Sequence, residues 1–448
     1  MFALTATFLP TERDLLNATA VCKQWRTTLL SFPRLWCNVG GSLAKLEAYL
    51  ERSKSAPIEV RLSSPQLAVS ITPHTSRLVA LTARVDDSPG FQEIIGHLRD
   101  PIPTLRSLEI RMRRYDEYLL GLPSGLDEGL FQHLNTLSLN TIPSFHGPQT
   151  FPCITELFLE IHLSHRAAIL LLNAFERLPG LVKVSITFHA GWFFKINFPR
   201  IVTLPCIQEL HLDAFAPGIN RPARLQSIPP ILQFLRLPKA TSITLRSMFP
   251  LKTNLSVLPV APFGKQLPNY VDLPELQIDM AGGFSGTAVF RSSSNAVLTY
   301  HTGPLENYRR DRLLWGGLLL SSVRRVTAVL EDPELEEAAW LSDMLGDLDF
   351  LELLDLGGDC SWVLQRLRRR LKRGATRIDI KKLIVRGGER AKTQAVKFES
   401  AKDGLGLKDM TVTYIPGPKK PAQDDTSGDD DTSDSDVTSD DEPSDDGD

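Results

Sequence analysis

One short phrase constrains this chain more than any other feature: an apolar residue, two others, an apolar residue, one other, an apolar residue, recurring along most of its length. It reads LRSLEI at Leu105 to Ile110, LNTLSL at Leu134 to Leu139, ITELFL at Ile154 to Leu159, LVKVSI at Leu181 to Ile186 and IQELHL at Ile207 to Leu212. Later copies are ATSITL, LPELQI, LELLDL, IKKLIV and LKDMTV. The central residues are Leu81, Leu108, Leu137, Leu157, Val184, Leu210, Ile243, Leu276, Val326, Leu354, Leu383 and Met410, spaced 27, 29, 20, 27, 26, 33, 33, 50, 28, 29 and 27 apart. The alternation inside each phrase is that of a short strand with one buried face. Units of this size cannot bury that face alone, so a near-constant period implies stacking of one unit on the next.

The stretches between phrases support this reading. Pro103, Pro152, Pro179, Pro205, Pro238 and Pro274 stand ahead of strands, where they forbid a helix running through. Arg166 to Leu178, Glu334 to Leu348 and Ser361 to Arg373 have helical apolar spacing. Strand, crossover helix and parallel strand, repeated, predict an α/β solenoid over residues 41–415; an ordinary α/β domain with Leu-rich parallel strands is the other reading. The wide interval from Leu276 to Val326 holds GGFSGTAVFRSSSNAVLTYHTG, either an added hairpin or a degenerate repeat.

Ahead of the repeats lies a different pattern. Pro10 ends one segment, and Thr11 with Asp14 has the spacing of a helix N-terminus leading through Leu15 and Leu16. Ala18, Val21, Cys22, Trp25 and Leu29 then form one apolar stripe, stopped by Phe32-Pro33, and Trp36 is placed to return toward Trp25. So small a core does not stand alone and needs a partner surface. Downstream, Ser42 can cap a helix through Arg52, with Leu43, Leu46, Tyr49 and Leu50 on one face, and Ile58, Val60 and Leu62 alternate as a strand.

The string LPxxRDLxxAxxVCxxWRxxxxxxPxLW, on Leu9, Pro10, Arg13, Asp14, Leu15, Ala18, Val21, Cys22, Trp25, Arg26, Pro33, Leu35 and Trp36, resembles an F-box. The resemblance implies that residues 1–40 dock a Skp-type adaptor and through it a cullin-RING ubiquitin ligase, with Leu9, Pro10, Leu15, Val21, Cys22, Trp25, Leu35 and Trp36 as adaptor contacts. F-boxes usually open with a further helix, and Met1 to Leu4 stands where that helix should be ending, so its contacts are expected to be missing. A plain N-terminal cap on the next domain is the alternative. The order of module, helix, "RS…AP" and strand is similar to F-box proteins with leucine-rich repeats, whose 20–29-residue period most intervals approach. The repeats are read as lacking the Asn that usually follows the strand phrase. The fold expected is therefore α/β: a short helical F-box-like module, an irregular leucine-rich-repeat-like solenoid with parallel strands, and an acidic tail over 416–448.

Composition narrows the function. Five scattered Cys without a CxxC pair predict neither disulfide framework nor zinc site and fit cytosol or nucleus. The N-terminus reaches Glu12-Arg13-Asp14 too soon for a signal peptide, and Leu313 to Val323 is too short to span a membrane. GGFSGT around Ser285 lacks the nucleophile-elbow spacing, no phosphate-binding loop follows a strand, and His162 and His165 have no third ligand. No enzyme activity, cofactor or metal is expected.

Binding is expected on the residues that alternate with the apolar ones: Glu109 and Arg111, Phe158 and Glu160, His211 and Asp213, Thr244 and Arg246, Gln277 and Asp279. Among them Phe158 is either a candidate anchor for an unknown protein substrate or a ring covered by a neighbouring loop, and Gly191-Trp192-Phe193-Phe194 reads as core filling or a recognition loop. QRLRRRLKR at 365–373 places Arg366, Arg369, Arg370 and Arg373 opposite an apolar helix face, with no interleaved aromatic, so nucleic-acid binding is not expected. Residues 424–448 hold 13 acidic and no basic residues, leaving 50 basic against 40 acidic elsewhere. The tail is expected to be disordered, to offer acidophilic kinase sites at Ser427, Ser433, Thr438 and Ser439, and to be drawn to that basic helix. The function these features predict is substrate recognition for a ubiquitin ligase. A non-ubiquitin repeat scaffold is the alternative.

Overall fold

The structure, a computed structural model, describes residues 12–98, 102–113, 120–121, 133–144, 150–162, 165–189, 200–215, 230–247, 267–270, 272–281, 285–302, 322–331, 341, 345, 348, 350–358, 360–372, 379–407 and 409–416. It is a mixed α/β fold built on one large, mostly parallel sheet of sixteen strands. The strands are β1 (Asn38–Gly40), β2 (Ile58–Leu62), β3 (Leu78–Val85), β4 (Ser107–Met112), β5 (Thr136–Leu139), β6 (Glu156–His162), β7 (Lys183–His189) and β8 (Glu209–Phe215). They continue as β9 (Ser242–Ser247), β10 (Glu275–Ala281), β11 (Ser285–Arg291), β12 (Val297–Thr302), β13 (Arg325–Glu331), β14 (Leu353–Gly358), β15 (Lys382–Gly387) and β16 (Thr411–Pro416).

From β1 to β9, and again from β13 to β16, each strand pairs in parallel with the next in the chain. One residue per strand falls in a continuous register column. It runs Val39, Val60, Leu81, Leu108, Leu137, Leu157, Val184, Leu210, Ile243, Leu298, Phe290, Leu276, Val326, Leu354, Leu383 and Val412. All but Val412 are buried. The period-2 pattern of the phrases is thus a single apolar seam through the sheet.

Eight α-helices occur among the described residues: α1 (Glu12–Val21), α2 (Lys23–Leu30), α3 (Leu43–Ser53), α4 (Gln66–Ile71), α5 (Ser88–His97), α6 (His165–Glu176), α7 (Ser361–Lys372) and α8 (Glu389–Glu399). Their buried residues, including Leu46 and Tyr49 of α3, Leu172 and Phe175 of α6 and Val363, Leu364 and Leu367 of α7, join the strands' buried side in one hydrophobic cluster. Among the described residues, those that alternate with the strands' buried ones, on the sheet's other face, are half-buried or exposed except Asp355 and Gly357. One residue ahead of the strands a backbone ladder links successive units: Arg106 N donates to Val79 O, Asn135 N to Arg106 O, Thr155 N to Asn135 O, Val182 N to Thr155 O and Gln208 N to Val182 O, at 2.8–2.9 Å. No described helix is long and apolar enough to cross a membrane.

Several expectations are corrected. The stripe from Ala18 to Leu29 is not one helix face, because the chain breaks at Cys22, whose extended backbone and Sγ cap α2 by accepting from Trp25 N. Cys22 is exposed rather than core. Trp36 packs edge-on against Tyr49 with ring centroids 5.1 Å apart, lies 4.6 Å from the Arg52 guanidinium, and donates Nε1 to Leu29 O. Met410 precedes its strand, and Val412 takes the seam position. Ile243 does not sit beside Leu276: β10, β11 and β12 form an antiparallel meander inserted so that β9 pairs with β12 and β10 with β13. The added hairpin is therefore the better description of the wide interval. Its Ser-rich turn is closed by Ser292, whose N donates to Ala296 O and whose Oγ accepts from Ala296 N, with Asn295 at φ 64°. Most of the expected helix at 334–348, the Trp192 loop and the acidic tail lie outside the described residues.

Candidate functional site

The outward face of the sheet carries the residues left between the apolar ones. One row across it runs Arg61, Thr82, Glu109, Ser138, Phe158, Ser185, His211 and Thr244. A second, two residues further along each strand, includes Arg84 and Arg111, then Glu160, Thr187, Asp213, Arg246 and His301. All ten residues expected from the sequence to bind a partner share this face: Glu109, Arg111, Phe158, Glu160, His211, Asp213, Thr244 and Arg246, and, through the register of β10 to β12, Gln277 and Asp279.

A notch of about 160 Å³ opens beside the end of the short strand β5, lined by Arg111, Ser138, Leu139, Asn140, Phe158, Leu159, Glu160, Ser185 and Thr187. Its origin is local. β5 ends after four residues, and buried Asn140 then stands in for a strand backbone: Nδ2 donates to Met112 O at 2.6 Å and Oδ1 accepts from Met112 N at 2.8 Å. The chain can leave the sheet there without orphaning β4. Phe158 is half-buried rather than fully exposed, and its register neighbours Ser138 and Ser185 are small enough to leave the ring accessible from above.

Charges on the face are partly paired. Glu109 accepts from Arg111 Nε and from Thr82 Oγ1, and Glu160 Oε1 lies 2.8 Å from His189 Nε2. Lys183 and His211 flank Glu209 at 3.5 and 3.8 Å. Burial and the nearby Arg246 push His301 below its ordinary pKa, with Asp213 opposing, and His301 Nδ1 is 3.0 Å from Thr287 Oγ1. Exposed pairs of this kind contribute little to stability, so they serve mainly to arrange charge. Farther along, Arg386 grips the largely buried Asp355 with Nε at 2.8 Å and Nη2 at 2.9 Å. Among the described residues no group of three or more His, Cys, Asp or Glu is placed to hold a metal.

The N-terminal module presents a second surface. Val21 is 66% exposed and its neighbour Leu16 43%. Cys22 is exposed, Trp25 and Leu35 are partly buried against the core, and Leu15 is buried. Trp36, at 0% exposure, supports the module from inside and offers no ring to a partner. Leu9 and Pro10 lie outside the described residues.

Sequence reasoning missed Leu16 on the module and Arg61, Arg84, Ser138, Asn140, Ser185 and Thr187 on the sheet. For Arg61, Arg84, Ser138, Ser185 and Thr187 the signal was present, since each follows from the alternation once the register is known; the role of buried Asn140 depends on where Met112 lies. The Asn ladder read as lacking from the repeats has one isolated counterpart in Asn140, which bonds Met112 of the preceding strand. Neither a family model nor a curated protein matches the chain.

Proposed function

We propose that this protein is the substrate-recognition subunit of a cullin-RING ubiquitin ligase. In this reading residues 12–36 are an F-box-like dock for a Skp-type adaptor. The sheet with its helices is an irregular leucine-rich-repeat-like solenoid whose outward face holds the protein to be modified. Ubiquitin transfer belongs to the partner subunits, and the chain acts as a receptor rather than an enzyme.

The observation that carries the reading is the pair of apolar side chains, Leu16 and Val21, left on the surface of a two-helix module whose Trp36 is locked into the body. Isolated exposed apolar residues are ordinary, but these two lie five residues apart, about 1.4 turns, on the short helix α1, and Val21 adjoins the break at Cys22. A protein bound there is held rigidly with respect to the sheet face, since Leu15, Ala18, Leu29 and Trp36 belong to the same hydrophobic cluster as the strands. A ligase receptor needs this coupling, because substrate must be presented at a fixed place.

The test is co-purification of the full-length protein with a Skp-type adaptor, beside a Leu16→Asp, Val21→Asp double variant. Both positions are exposed, so the variant is expected to keep the wild-type unfolding curve and to lose adaptor binding by at least about tenfold. Wild-type protein that is folded yet fails to bind the adaptor would sink the ligase reading in favour of a non-ubiquitin repeat scaffold.

A further inference from the structure

Resting on the receptor reading, we propose that the outward face of β3–β6 binds an extended acidic segment of a partner protein. Its carboxylates lie on Arg84 and Arg111, and an apolar side chain about three to four residues further on sits in the notch over Phe158.

Arg84 and Arg111 are register partners on adjacent parallel strands, and both are exposed. Arg61 adds a third guanidinium on β2, in the row of Thr82 and Glu109. Among the described residues Arg61 and Arg84 have no hydrogen-bond or ion-pair partner, while Arg111 commits its Nε to Glu109. Like charges side by side on neighbouring strands repel, and an anionic partner relieves that repulsion while gaining charge-assisted hydrogen bonds. Charge complementarity therefore selects an acid.

The spacing selects an extended peptide. Arg111 and Phe158 lie two strands and two residues of register apart, roughly 12 Å at ordinary strand geometry, which an extended chain covers in about three to four residues. Such a peptide crosses the strands and is read by side chains alone. β3 to β6 are interior strands whose backbone groups are already paired on both sides, so strand addition is closed to it. A nucleic acid fits less well. Glu160, Glu209 and Asp213 continue along the face and repel a long polyanion, and the notch of about 160 Å³ has room for one side chain rather than a run of stacked bases.

The probe is a fluorescein-labelled peptide of about twelve residues with three consecutive Glu, a Gly-Ser spacer and one Phe, titrated into the full-length protein by anisotropy. Saturable binding that weakens with added salt is expected. Affinity should fall at least about tenfold for Arg84→Glu, for Phe158→Ala, and for a probe with Phe replaced by Gly, and should hold for Arg246→Glu. Arg84→Gln, a milder change at an exposed position, should weaken binding in the same direction. Three results overturn the proposal: no saturable binding, equal binding of a probe with Gln for Glu, or equal binding of an oligothymidine of about twelve nucleotides. Adaptor binding is measured on the same samples. Retained adaptor binding with no peptide binding sinks the acidic-segment proposal alone, and peptide binding without adaptor binding sinks the ligase reading alone.

Discussion

Asn140 shows how one side chain shapes the face. Its amide satisfies both backbone groups of Met112 in a buried setting, so β4 loses its neighbour without leaving orphaned donors or acceptors. Asn140→Ala removes both bonds at once. At about 1–3 kcal/mol for each of the two buried groups left unpaired, a loss of roughly 2–6 kcal/mol is expected in urea unfolding. A change below about 0.5 kcal/mol would mean that water or a neighbouring chain segment takes over the pairing. The Asp355 and Arg386 pair makes the same point at the other end of the sheet, where a largely buried carboxylate is met by a two-pronged guanidinium.

At the level of elements, the turns decide which segments become neighbours. Leu178, Pro179 and Gly180 lead from α6 into β7, and a Cβ on Gly180 would drive into the carbonyl oxygen of Pro152 on the adjoining unit. Backbone cannot yield there as a flexible side chain would. Gly180→Ala is expected to cost about 1–3 kcal/mol in chemical denaturation, with far-UV circular dichroism little changed. Full tolerance would show that the two turns do not pack as closely as described. The break at Cys22 is an element-scale event of the opposite kind. An extended residue interrupts what the apolar spacing alone would continue, and so turns Val21 outward.

For the whole molecule, the apolar seam links sixteen strands, yet each is hydrogen-bonded within the sheet only to its neighbours. Leu210, at 0% exposure, sits in the middle of it. Leu210→Ala is expected to destabilise by about 2–5 kcal/mol through lost transfer energy and the cavity left behind. In stacked units that loss is felt locally first. Hydrogen exchange should therefore speed up in β7 to β9 before β2 or β16 responds. Uniform acceleration across all strands would mean that the sheet opens as one cooperative unit.

Much of this architecture was legible in the residues. Eleven of the twelve central positions named from the phrases occupy the seam, because alternation along a strand is local and needs no knowledge of neighbours. The outward set, from Glu109 to Asp213, followed from the same alternation. What lay beyond reach was lateral placement. That Arg84 stands beside Arg111, that β12 rather than β10 follows β9, that Asn140 pairs with Met112 and that Val412 displaces Met410 all depend on how distant segments are brought into register. Periodicity declares which face of a strand is apolar. Which strands then lie side by side is settled only when turns, insertions and loop lengths close against a common core, and the notch over Phe158 exists because one of those strands stops early.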